Sequence, residues 1–87
     1  MKLLTQAIRN SLPSLGSSER LPHDQIVVHA KFFTPDSSWT WYAVEFDGDD
    51  AFFGLVSGFE VELGYWSLSE MAAARGPLGL SVERDLW

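Results

Sequence analysis

The chain has 87 residues, 46% of them hydrophobic and 14% aromatic, with 12 acids against 6 bases, a formal charge of −6 and no cysteine. That length admits a single domain, 1–87, and the missing cysteine excludes a disulfide framework and a thiolate metal site. The negative balance argues against a basic nucleic-acid-binding face, and no run reaches the ~18 apolar residues of a membrane span.

The first residues, Met1 to Gln6, are too short and too interrupted for a signal peptide, so a soluble, cytoplasmic protein is expected. Residues 3–12 predict a short helix, because Leu4, Ile8 and Leu12 recur at every fourth position. Thr5 is its candidate cap and Pro13 its stop. Residues 13–24, with Pro13, Ser14, Gly16, Ser17, Ser18 and Pro22, read as a loop that Leu15 and Leu21 pin to the body.

Residues 26–33 are β-branched and aromatic and predict a first strand. A Thr34–Ser38 turn follows, then a second strand at 39–46. Asp47-Gly48-Asp49-Asp50 carries the Asp-Gly hairpin signal. Third and fourth strands are predicted at 51–59 and 61–67. Ser67 and Glu70 form a capping box for a second helix, which Gly76-Pro77 ends. The tail, with Leu78, Leu80, Val82, Leu86 and Trp87, is too apolar to be free and is expected to pack back, in part as a short extended segment. The fold class is therefore α+β, a four-stranded antiparallel meander with an N-terminal and a C-terminal helix packed on the sheet.

Alternation along the second strand puts Trp39, Trp41, Ala43 and Glu45 on one face, and Thr40, Tyr42, Val44 and Phe46 on the other. Both faces carry aromatics. Helices suit one; the other is either covered by the tail and the 13–24 loop or left as a partner or homodimer surface.

Glu45, Asp47, Asp49 and Asp50 form the densest charge cluster. It does not fit a calcium loop: counting from Asp47, Gly48 is second and Phe52 stands sixth, where glycine is required. Its readings are a solvated hairpin tip or a contact for a basic partner. His23 and His29 lack metal-ligand spacing. Ser57, in Gly54-Leu55-Val56-Ser57-Gly58, misses the nucleophile-elbow spacing by one residue. Glu60 and Glu62 share a strand face with no evident pocket. No cofactor or metal is expected, and no nucleophile, base and oxyanion hole come together.

Two stretches carry a resemblance. One is Lys31-Phe32-Phe33-Thr34-Pro35-Asp36-Ser37-Ser38-Trp39-Thr40-Trp41-Tyr42. The other runs from Gly64-Tyr65-Trp66-Ser67-Leu68-Ser69-Glu70 through Arg75-Gly76-Pro77-Leu78-Gly79-Leu80 to Glu83-Arg84-Asp85. Over nearly the whole chain the sequence resembles a family of small bacterial proteins catalogued as a domain of unknown function, whose members are common on plasmids and other mobile elements. That resemblance implies accessory work, such as countering host defence or tuning plasmid maintenance, and transfers no catalytic residues.

The expected function is thus a non-enzymatic, acidic interaction protein. Its sharper form is an inhibitor of a host defence or nucleic-acid-handling complex. The contacts expected are Glu45, Asp47, Asp49, Asp50, Trp39 and Trp41, and the partner is a protein with a basic surface, with no direct nucleic acid and no membrane. The alternatives are a small enzyme or ligand-binding domain built on Tyr42, His29 and nearby acids, and a structural homodimer.

Overall fold

Thr5 opens the first element. Its hydroxyl accepts from the Ile8 amide at 3.2 Å, and helix α1 runs Gln6–Ser11. This comes from a computed structural model that describes residues 3–86; Trp87, expected to pack on the body, lies outside them. α1 is shorter than the 3–12 prediction because the cap sits at Thr5, and Pro13 has no N–H with which to continue the ladder. Leu4 and Leu12 are buried and Ile8 half-buried, so the predicted stripe docks, although two of its three residues flank the helix.

The strands are β1 (Ala30–Phe33), β2 (Thr40–Phe46), β3 (Ala51–Ser57), β4 (Val61–Ser67) and β5 (Glu83–Arg84), with helix α2 (Leu68–Ala73) between β4 and β5. They form one antiparallel sheet in the order β4-β3-β2-β1-β5. The expected four-stranded meander is therefore corrected to five strands. The tail returns across the molecule and pairs Phe32 with Arg84 and Phe33 with Glu83. Asp85 N donates to Lys31 O at 2.8 Å and extends that edge.

The first strand is also shorter than predicted. Ile26 to His29 run beside the sheet, and only His29 bonds to it, N–H to Ala43 O at 2.9 Å. The cause lies in β2. Its register against β3 shifts between Ala43 and Glu45, a bulge at Val44. Beyond it the Phe46 amide donates to Pro13 O at 2.9 Å, so residues 26–28 find no ladder to join.

The bulge also corrects the expected faces. Trp41 and Ala43 lie with Phe46 on the core side, whereas Val44 and Glu45 line the opposite face with Phe53, Leu63 and Tyr65. The core holds Phe32, Ala43, Phe46 and Phe52, closed by Leu4, Leu12, Met71 and Val82. Phe52 stacks on Trp66 at 5.3 Å and meets Phe46 at 4.4 Å. Phe32 and Phe52 are fully buried, each worth roughly 2–3 kcal/mol of apolar transfer.

α2 starts at the predicted Ser67 cap, with the Glu70 amide donating to Ser67 Oγ at 2.9 Å, but the expected capping box is only half made, since the Glu70 carboxylate makes no return hydrogen bond to the Ser67 amide among the described residues. It ends at Ala73, before the predicted Arg75, because Arg75 enters a bridge with Ser81 and its guanidinium caps the Ala72 and Ala74 carbonyls. Asp36 then joins two distant turns. Its Oδ2 accepts from the Leu78 amide at 2.7 Å, and Gly76 packs so closely on the carboxylate that a Cβ there would overlap it.

Candidate functional site

The acidic turn is built from its own hydrogen bonds. Asp47 Oδ1 accepts from the amides of Asp49, Asp50 and Ala51 at 2.8, 2.9 and 3.0 Å. The Asp49 and Ala51 bonds lead in holding the Asp47 carboxyl below its ordinary value. Gly48 takes a positive φ of 87°, and its carbonyl accepts from Arg9 at 2.7 Å. Asp50 reaches across to α2, where Oδ1 accepts from the Ser69 amide and Oδ2 from the Ser69 hydroxyl, both at 2.8 Å. Asp49 is exposed, and its carboxylate makes no hydrogen bond or ion pair among the described residues.

These roles separate on mutation. Asp50→Ala removes a cap from α2 and is expected to lower stability by about 1 kcal/mol, or ~5 °C in Tm for a domain of this size. Asp49→Ala is expected to leave Tm unchanged. Thermal melts of the two variants check the difference.

Glu45 sits elsewhere. At 2% exposure it is one of the most buried side chains of the molecule. Its Oε1 accepts from Gly16 N at 2.7 Å and its Oε2 from Ser18 N at 2.9 Å and from the Ser18 hydroxyl. Burial pushes its pKa up, but the Ser18 hydroxyl and the Gly16 and Ser18 amides outweigh it and hold the carboxyl below its ordinary 4.5. The side chain is a clamp for the 13–24 loop. With Leu21, Ile26, Phe53, Leu63 and Tyr65 it lines a cleft of about 290 Å³ between that loop and the sheet.

At the far end of the core-side face a second cleft forms. Trp39 stacks on Trp41 with centroids 6.2 Å apart and meets Phe59 edge-on at 5.6 Å. Gly58 makes this possible, since a Cβ there would stand 2.5 Å from the Trp39 ring. The Gly58 amide donates to Glu60 O at 3.0 Å and ends β3 two residues earlier than predicted, leaving Phe59 at the hairpin tip, 94% exposed. Trp39, Val56, Phe59, Glu60 and Glu62 line a cleft of about 300 Å³. The register Trp41↔Val56↔Glu62 sets one carboxylate at the end of that row.

The structure thus brings the predicted Trp39 and Trp41 together with Phe59, Glu60 and Glu62, and keeps all of them apart from the acidic turn. The sequence reading missed Phe59, and it left Glu60 and Glu62 without a pocket. The signal available was Gly58, a glycine near a strand end and next to aromatics, where close approach is the usual reason.

Tyr42 and His29 have different surroundings. Tyr42 packs under Lys31, whose Nζ lies 5.7 Å from the ring centroid and 3.7 Å from Asp85. His29 lines a smaller cleft, of about 150 Å³, with Pro13, Ser17 and Val44. Among the described residues no group of three or more His, Cys, Asp or Glu is placed to hold a metal ion, and no helix is long and apolar enough to cross a membrane.

Residues 3–87 match the model of a family described as Protein of unknown function (DUF2958), and the chain belongs to that family. No curated protein and no solved structure matches it.

Proposed function

We propose that this member of a family without an assigned activity is a non-enzymatic interaction protein that grips a basic segment of a partner protein in the Trp39–Phe59 cleft. One observation carries the reading. Two aromatic rings set nearly perpendicular, at 80°, share a cleft with Glu60 and Glu62, and no lysine or arginine lines it among the described residues. Ring faces attract guanidinium and ammonium groups, and carboxylates beside them add charge-assisted hydrogen bonds. The formal charge of −6 steers a basic partner and repels a phosphate backbone. A groove built for nucleic acid is such a partner, so the sharper form of the proposal is inhibition of a nucleic-acid-handling or host-defence complex by a protein of mobile-element origin.

The test is affinity capture from a bacterial host lysate at low and high salt, with wild-type protein run beside Trp39→Ala and the double variant Glu60→Gln/Glu62→Gln. A basic protein retained at low salt, released at high salt and reduced at least tenfold by both variants is expected, with circular dichroism unchanged. A captured set indifferent to both variants, or no basic protein retained at low salt, overturns the reading.

A further inference from the structure

The chain carries 12 acids against 6 bases, yet one of its clefts has two arginines and no acid in its lining. It lies where the start of the chain and α1 meet α2 and the 75–82 segment, and it holds about 400 Å³. That is within the range of about 300–1,000 Å³ usual for small-ligand sites. Its polar side is Arg9, Arg75 and Ser81; the other five lining residues are aliphatic.

Both arginines are fixed in place, and both keep donors in reserve. Arg9 Nη1 donates to Gly48 O at 2.7 Å, and the guanidinium carbon lies 5.2 Å from the centre of the Phe46 ring. Arg75 Nη1 donates to Ala72 O at 3.0 Å and to Ala74 O at 2.7 Å. A guanidinium has five N–H donors. Nε and Nη2 of both residues make no hydrogen bond among the described residues, and neither group pairs with a carboxylate there. Arg9 reaches the acidic turn but bonds a carbonyl, because Asp47 faces the turn's own amides and Asp50 faces Ser69. Ser81 is the partner of Arg75 in an antiparallel bridge, which sets the two side chains side by side on one face. The Ser81 hydroxyl also makes no hydrogen bond among the described residues.

We propose that this cleft binds a small aliphatic carboxylate, with its head on Arg9, Arg75 and the Ser81 hydroxyl and its chain on Leu3, Leu4, Leu68, Ala72 and Val82. Guanidinium donors match a carboxylate, and the walls select the rest of the ligand. Leu4 and Val82 are buried members of the core and give a fixed apolar floor. Inorganic phosphate would turn oxygens toward aliphatic carbon with no hydrogen bond to replace those of water. A polyanion such as nucleic acid would meet the net charge of −6. One negative charge on a hydrocarbon body suits both sides of the cleft. None of these residues lines the aromatic cleft, so the two readings stand or fall separately.

The probe is octanoate, titrated into the full chain while backbone amide shifts are followed by NMR. A Kd of about 0.1–1 mM is expected, in keeping with a ligand of ~10 non-hydrogen atoms, with the largest shifts at Ala72, Arg75, Ser81 and Val82. Arg75→Gln and Ala72→Glu are each expected to weaken binding at least tenfold. Arg75→Gln also uncaps the end of α2; Ala72 is exposed and glutamate is a good helix former, so the second variant keeps the fold. Octylammonium and inorganic phosphate are expected to bind here at least tenfold more weakly than octanoate. No octanoate binding, shifts centred on other residues, octylammonium or phosphate binding here as tightly as octanoate, or an affinity that Ala72→Glu leaves unchanged overturns the inference.

Discussion

Gly54→Ala is expected to lower stability by about 3 kcal/mol, roughly 15 °C in Tm. Gly54 sits mid-strand in β3, opposite Ala43 on one side and Gly64 on the other. A Cβ there would lie well inside contact distance of the Tyr42 carbonyl oxygen and 3.2 Å from Trp66 Cη2. The first obstacle is backbone, so relief comes only from parting β2 and β3 beside the Val44 bulge, with the loss of ladder hydrogen bonds worth about 1 kcal/mol each. The second is a ring stacked on Phe52, and overpacking at such a site adds about 1–3 kcal/mol. A domain of this length holds only ~4–13 kcal/mol in all, so the variant stands near the limit of folding. Gly64→Ala is the control: the two glycines face each other across the same strand pair, and only one has a neighbour to hit. Melting curves monitored by circular dichroism decide it. A Gly54→Ala variant melting within two or three degrees of wild type would mean that the strands separate there at little cost.

Glu45→Gln is expected to cost about 2–4 kcal/mol at neutral pH, through lost charge-assisted bonds to the 16–18 backbone and the Ser18 hydroxyl. The pH dependence follows from the direction of the shift. The folded carboxyl titrates below its unfolded value of 4.5, so its contribution is complete above 4.5 and fades as pH falls through the folded value. The Tm gap between wild type and Glu45→Gln should therefore be constant at neutral pH and close in that acidic window. Asp47 is also shifted downward, but it titrates in both proteins and cancels in the difference. Release of the loop gives a second readout. Arg20 lies in the loop and is exposed, so tryptic cleavage after Arg20 should accelerate in the variant at neutral pH. A gap that persists below the window would assign the loss to packing rather than charge.

These effects show where sequence pattern carries and where it stops. Local signals were legible: the Ser67 cap, the Thr5 cap and the Asp-Gly turn each concern residues within four positions, and each sets its own hydrogen bonds. The bulge at Val44 was not, since it follows from how β2 meets β3 and Pro13. It reverses the facing of Glu45, which alternation alone had placed beside Trp41. Of β5 only a short extended segment in the tail was legible, not its position or its partner, for a similar reason. Glu83-Arg84 has no strand pattern and becomes a strand only because β1 offers an open edge. Of the candidate site, Trp39 and Trp41 were read from exposure arguments on strand alternation. Glu60, Glu62 and Phe59 needed the turn at Gly58 to bring them against the Trp39 ring.

The placement of β5 bears on how the protein is made. β1 through β4 can pair hairpin by hairpin as they are synthesised, each strand meeting the one before it. The outer edge of β1 has to wait, because its partners are Glu83 and Arg84. At translation rates of about 5–20 residues per second that delay is roughly 3–10 s. For that time Phe32 and Phe33 border an unpaired edge, and the core lacks Val82. The nascent chain is thus most open to mispairing in the seconds before Glu83 and Arg84 emerge, and a ribosome that halts short of Glu83 leaves a sheet with both edges open.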